Sequence, residues 1–304
     1  MRSSFFGEKS LISEERAVNL LSDAGSLVPE KFRKEAKFIA LLLEIQKGNI
    51  EYIFRQINKN NIEKAFKIIE ISILIRPLET ENFLTLISLI SSNFNVENLP
   101  YSSDYFRSLL IARGILPHPN DGKEYNEAFA KFAKGSIEEA IREDNVEQFY
   151  RLVSDISFNA KNKVDICYLR ECESYMQLIA YFGAVNCFRQ AIMNDAFDLD
   201  GIAKCAIAGG SNEIVRILEQ KGISFDNCFN IGVKYHRVEL CDWLLMHTKC
   251  ERFDLSSSLK YFNYPAFFFV VIKEKLFNEA IRIVSYNGHI EVVKYLIEQC
   301  HANV

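Results

Sequence analysis

Glycine and proline are both scarce, at 13 and 6 in 304 residues. A many-stranded fold needs more turn punctuation than that, so helices are favoured. Long hydrophobic runs are missing too. The longest, Tyr264 to Ile272, is far short of a membrane span, so no membrane insertion is expected. Met1 to Ala17 has no apolar stretch of the secretory type, and Arg2 stands where myristoylation requires glycine. An excess of basic charge is absent as well. Residues 1–134 carry 18 Lys and Arg against 17 Asp and Glu, and the remainder carries 18 against 23. Neither part has the footprint that nucleic-acid backbones require. No Cys-x-x-Cys pair occurs, and all eight cysteines lie between Cys167 and Cys300. In a chain this long they read as free thiols of a reducing compartment, which places the protein in the cytoplasm.

What is present is an ordinary globular balance, 49% hydrophobic and 25% charged, with amphipathic periodicity. Phe38, Leu41, Leu42 and Ile45 fall at i, i+3, i+4 and i+7, one apolar face of a helix. Ile62, Ala65, Phe66 and Ile69 repeat the spacing, as do Phe83, Leu86, Ile87 and Ile90. Gly48-Asn49, Asn58 to Asn61, Pro77 and Asn93 to Pro100 separate them. Pro77 should push Arg76 out of the helical region. A further helix over about 103–113 should end at Gly114. The loop-like run Pro117 to Gly122 suggests a division near 134, with a helical N-terminal domain over 1–134 and a second region over 135–304.

The second region repeats itself. Asn287-Gly288-His289-Ile290-Glu291-Val292-Val293-Lys294-Tyr295-Leu296-Ile297 is a polar turn followed by an amphipathic helix. Related segments begin at Gly209, Tyr235, Gly183 and Asp144. Their helix-starting anchors fall at 147, 186, 213, 239 and 291, and the last gap predicts a degenerate copy near 266. Five residues after each clear anchor stands Leu152, Ala191, Leu218, Leu244 or Leu296. One such helix pair cannot bury its apolar side alone, so neighbours must stack.

At these residues the chain resembles a divergent ankyrin-repeat protein, through Gly288 to Ile297 above all and through Leu218 to Gly222. The whole chain is similar to a large ankyrin-like group of protist parasites with an N-terminal domain of unknown function. Ile75-Arg76-Pro77-Leu78, Tyr181-Phe182-Gly183, Ala206 to Gly210 and Cys241 to Leu245 look family-like. The Thr-Pro-Leu-His element of the first helix is missing, with Glu279 to Arg282 in its place at the last copy. The repeats are shorter than about 33 residues, and Cys300 stands where the turn glycine would be. The resemblance implies an all-α fold, a helix–turn–helix solenoid of about six ankyrin-like repeats behind an irregular helical domain. It implies a scaffold or adaptor for protein–protein interaction, not an enzyme, with no cofactor and another protein as partner.

In such repeats the residues five and four places before the anchor end the first helix on the concave side, where a partner often docks. Here the aromatic-bearing pairs are Tyr181 and Phe182, Lys234 and Tyr235, Tyr261 and Phe262, and Tyr286 and Asn287. Arg142 and Glu143, then Ala208 and Gly209, fill the other two. The rings either pack beneath the next unit or anchor a partner with few rotors to freeze.

Other constellations read as structure. Gly209-Gly210 lacks the Lys-Ser/Thr of a phosphate loop and reads as an inter-helix turn. His236, Cys241, His247 and Cys250 lack zinc spacing, as do Cys167 and Cys172. Asp198-Leu199-Asp200 reads as a cap for the helix beginning at Ile202. Lys31, Arg33, Lys34 and Lys37 form a solvated helix face, and Phe267 to Val271 a buried helix. A competing functional reading is a component of a cytoskeletal or other assembly. It would self-associate through the C-terminal repeat, where Val292, Tyr295 and Leu296 approach an uncapped end.

Overall fold

The computed structural model describes residues 24–96, 103–118, 134–155, 164, 172–193, 198–249 and 252–302. Among them there is no strand, and the fold is all-α. The N-terminal helices are α1 (Ala24–Leu27), α2 (Glu30–Leu43), α3 (Ile50–Arg55), α4 (Ile62–Ile75), α5 (Thr80–Asn93) and α6 (Asp104–Ala112), with a 3-10 turn at Pro77–Glu79. Six helical hairpins follow among the described residues. They are α7 (Ile137–Arg142) with α8 (Val146–Val153), α9 (Tyr175–Phe182) with α10 (Val185–Ile192), and α11 (Ile202–Gly209) with α12 (Asn212–Gln220). Then come α13 (Phe229–Lys234) with α14 (Val238–His247), α15 (Leu255–Lys260) with α16 (Tyr264–Lys273), and α17 (Phe277–Tyr286) with α18 (Ile290–Cys300).

The chain gathers into two compact units, one of residues 40–218 and one joining the segment up to 39 with residues from 219 onward. The sequence-drawn division at 134 falls inside the first unit.

In the 40–218 unit the predicted stripes are the core. Ala65, Phe66, Ile69, Phe83, Leu86, Ile87 and Ile90 are at most 1% exposed. Each of the Ile, Leu and Phe side chains contributes roughly 1.5–3 kcal/mol by leaving water. Two asparagines end helices in the same way. Asn49 Oδ1 accepts from the Gln46 N–H and its Nδ2 donates to the Glu44 carbonyl. Asn61 repeats this with Asn58 and Gln56. Each side chain takes over backbone groups that a continuing helix would have used. Arg76 leaves the helical region, with φ −134° and ψ 62°, as the following Pro77 requires. Gly114 takes φ +69° after α6.

The hairpins share one turn. A left-handed residue stands two places before each second helix: Asp144, Gly183, Gly210, His236, Phe262 and Gly288. In five of the six, the next residue's N–H donates to the carbonyl five residues back. The pairs are Asn145 to Ala140, Ala184 to Ile179, Arg237 to Gly232, Asn263 to Ser258 and His289 to Val284. This is the Schellman closure of a helix C-terminus. The register corrects the fifth anchor from 266 to 265, so the last four anchors, 213, 239, 265 and 291, are evenly spaced. Pro265 fits this place because the first helical turn has no use for its missing N–H.

Successive first helices pack on one another, α7 on α9 and α9 on α11 in the 40–218 unit. In the other unit α13 packs on α15 and α15 on α17. The α9–α11 contact is backbone to backbone. A Cβ on Gly209 would lie 2.1 Å from the Ala180 carbonyl oxygen. Asp144 then serves the next hairpin. Its carboxylate accepts from the Asn186 and Cys187 N–H groups at 3.1 and 2.9 Å, at the start of α10, which has no cap of its own. The negative charge suits a helix N-terminus. Burial, then Asp144, push the Cys187 thiol up to about 12.

In the unit containing residues 219–302, α16 is buried almost all round, and Phe267 and Phe268 are at 0% exposure. The N-terminal segment packs here. Phe32 lies 5.1 Å from the Phe268 ring and 5.7 Å, edge-on, from Tyr295. Lys31 pairs with Glu291 at 2.5 Å. Burial, with the Glu35 carboxylate beside it, holds the Tyr264 hydroxyl protonated far above the usual range. The C-terminal end is therefore not open in the way expected. Val292 and Leu296 are buried, and Tyr295 is half-buried behind Phe32. On the same segment Lys31, Arg33, Lys34 and Lys37 are exposed.

Candidate interaction surface

The six first helices end where the anchors place them, so the paired positions are real structural equivalents. Their environments differ sharply. Tyr181 and Phe182 are 4% and 5% exposed, and Tyr235 and Phe262 are 5% and 6%. Tyr261 and Lys234 are half-buried, Asn287 is exposed, and Tyr286 is 91% exposed.

The buried rings have identifiable reasons. Tyr181 donates its hydroxyl to the Leu74 carbonyl at 2.8 Å, which fastens α9 to the end of α4. Phe182 stands edge-on to it at 5.7 Å. Phe262 occupies the left-handed turn position, one place later than the sequence alignment gave it. In the corrected register the fifth pair is Lys260 and Tyr261. For Tyr181, Phe182, Tyr235 and Phe262, packing rather than partner contact accounts for the ring.

Lys234 and Tyr261, half-buried, and Lys260, exposed, lie together beside the buried Tyr235 ring. Lys234 Nζ lies 5.1 Å from the Tyr235 ring centroid and 5.2 Å from that of Tyr261, and Lys260 Nζ lies 5.7 Å from Tyr261. These are cation–π distances. His236 fixes the spacing, because its Nε2 donates to the Tyr261 carbonyl at 2.7 Å across the hairpins. Asn263 Nδ2 donates to the Val233 carbonyl at 2.8 Å beneath. In the next hairpin Asn287 Nδ2 donates to its own helix at Ile283 and to Ser256. The arrangement offers two cations and aromatic faces on a scaffold whose spacing is set by hydrogen bonds. Sequence reasoning missed Lys260. Pro265, a residue suited to a first helical turn, was the signal that could have found it.

Other singled-out residues have ordinary places. His247 Nδ1 donates to the Trp243 carbonyl four residues back, and Cys241 is buried. Cys167 and Cys250 lie outside the described residues. Among the described residues no cluster of His, Cys, Asp or Glu is placed to hold a metal ion, and no helix is long and apolar enough to cross a membrane. Asp200 does not cap α11. That helix starts at Gly201, with φ +66° and no side-chain cap, and Asp198 instead accepts from the Asp200 N–H. Gln177 Nε2 donates to the Asp200 carbonyl, and a side chain at Gly201 would crowd that amide, which explains the glycine. Gly210 is left-handed, as an inter-helix turn requires. Cys300 lies within α18, and His301 takes the left-handed position after it.

No curated protein and no solved structure matches the chain. Residues 200–270 match the model of a domain of unknown function, DUF3447, which is found in ankyrin-repeat-containing proteins.

Proposed function

We propose that the chain is a non-catalytic protein-recognition module, with residues 135–304 forming degenerate ankyrin-like repeats. Support for the repeats comes from the shared left-handed turn and from the even spacing of the last four anchors. The family match over 200–270 covers three of those turns. The partner is another protein, and it docks where the first helices of the last three hairpins end. The observation that carries this is the Lys234, Lys260 and Tyr261 cluster with the exposed Tyr286 beyond it. Aromatic rings flanked by cations suit a partner segment bearing carboxylates, because rings bury area cheaply and lysines select charge. The compartment is a reducing one such as the cytoplasm, where the buried thiols stay reduced.

The test uses a Tyr261→Ala, Tyr286→Ala double variant, since neither ring is buried. Affinity capture from the native source, read by mass spectrometry, should lose a partner that the wild type retains, with the helical circular dichroism unchanged. Retention of every captured protein would sink the reading. A second reading, assembly through the last repeat, keeps one specific support. Ile290 and Ile297, seven residues apart on α18, are 65% and 39% exposed. Mass that rises with concentration, and is abolished by Ile290→Asp, would favour it.

A further inference from the structure

We propose that Cys172 and Cys205 are a redox-responsive thiol pair. A peroxide would convert them to a disulfide that staples the segment ahead of α9 to α11. The two Sγ atoms lie 3.6 Å apart, and the residues are 3% and 1% exposed. Cys172 lies ahead of α9 and Cys205 within α11, 33 residues apart in sequence. Other described sulfurs have different neighbours. Cys187 Sγ donates toward the Ala140 carbonyl, and Cys228 Sγ toward that of Asp226.

The chemistry balances with the oxidant named. One thiol gives up its proton and attacks a peroxide oxygen, breaking the O–O bond. It becomes a sulfenic acid and releases one water. The second sulfur attacks that sulfenic sulfur and expels hydroxide, which takes the second thiol proton and leaves as water. Two thiols have lost two electrons, and the peroxide has gained them. The second sulfur is already in contact at 3.6 Å, so no outside thiol is needed to resolve the sulfenic acid. Closing from 3.6 Å to a bond of about 2.05 Å is a matter of side-chain rotation and a small shift.

Access comes from the Cys172 side. Cys172 lies in the segment before α9, which is held by the Glu173 N–H donating to Gln177 Oε1 at 2.7 Å and by Ser174 at the helix start. Such a segment opens more readily than a packed helix. The bond would then tie the segment leading into α9 to α11, two helices whose backbones already meet at Gly209. A covalent link of this span restricts the unfolded chain, so the oxidised form should melt higher.

The test treats the full chain with hydrogen peroxide, then denatures and alkylates it. The expected result is a mass lower by two hydrogens and a peptide joining Cys172 to Cys205. The melting temperature should rise and return with dithiothreitol. Cys172→Ser or Cys205→Ala should remove both effects, and Cys187→Ala should keep them. The serine variant serves if the helical alanine variant folds poorly. Three results overturn the proposal. Both thiols could remain alkylatable while Cys300 is oxidised, Cys172 could be found joined to Cys167, or the cross-linked protein could melt no higher than the reduced one.

Discussion

Tyr181 and Tyr286 hold the same place, five residues before a second-helix anchor at the end of a first helix. One is 4% exposed and the other 91%. At Tyr181 the neighbourhood is filled. Helix α4 supplies the Leu74 carbonyl for its hydroxyl, and α11 approaches so closely that Gly209 has no room for a side chain. At Tyr286 nothing comparable among the described residues covers the ring. A repeat therefore specifies where a residue stands on its hairpin. What else the chain brings to that spot decides whether the residue is core or surface.

The largest expected effect tests the filled end of this comparison. Tyr181→Ala should cost about 3–5 kcal/mol, as for other buried aromatic truncations. Tyr286→Ala should stay within about 0.5 kcal/mol. Equal losses in denaturant titrations would end the distinction. Next comes Gly209→Ala. Its Cβ would meet backbone at 2.1 Å, which puts the cost near the top of the roughly 1–3 kcal/mol typical of overpacking. A melt unchanged by this substitution would show that α9 and α11 are not in backbone contact.

Alkaline pH should act on the buried side as well. The folded Cys187 thiol is pushed from 9.0 up to about 12, so it keeps its proton while the unfolded thiol loses its own. Its contribution is fully present below pH 9 and is lost as pH rises toward 12. Tyr264 is raised in the same direction. Denaturant midpoints should fall over that range, and Cys187→Ala should flatten the fall. The smallest effect is expected at Lys275, an exposed non-glycine residue at φ +53° between α16 and α17. Lys275→Gly should gain up to about 1 kcal/mol by relieving the left-handed backbone. A loss on that substitution would mean the lysine side chain contributes to the turn.

The helices were legible because their signals are local. The stripe Ile62, Ala65, Phe66 and Ile69, the turn glycines 183, 210 and 288, and the apolar residue five after each anchor all follow from periodicity. One slip in register, at 266 for 265, moved Phe262 into the site and left Lys260 out. The Tyr-Pro start of that helix held the answer, since proline belongs in a first turn. Asp200 failed as a cap for a different reason. The N-cap position falls on Gly201, so Asp200 stands one place too early, with its N–H donated to Asp198.

Local signals were enough for the helices of the described residues, the register of five of the six hairpins and the places where their turns close. These depend on residues within one helical turn or one hairpin of each other. Only the tertiary structure decided that residues 31 and 32 meet residues 291 and 295, that Tyr181 reaches the Leu74 carbonyl, and that Cys172 lies against Cys205. Such meetings depend on how distant helices pack, and no local spacing records that.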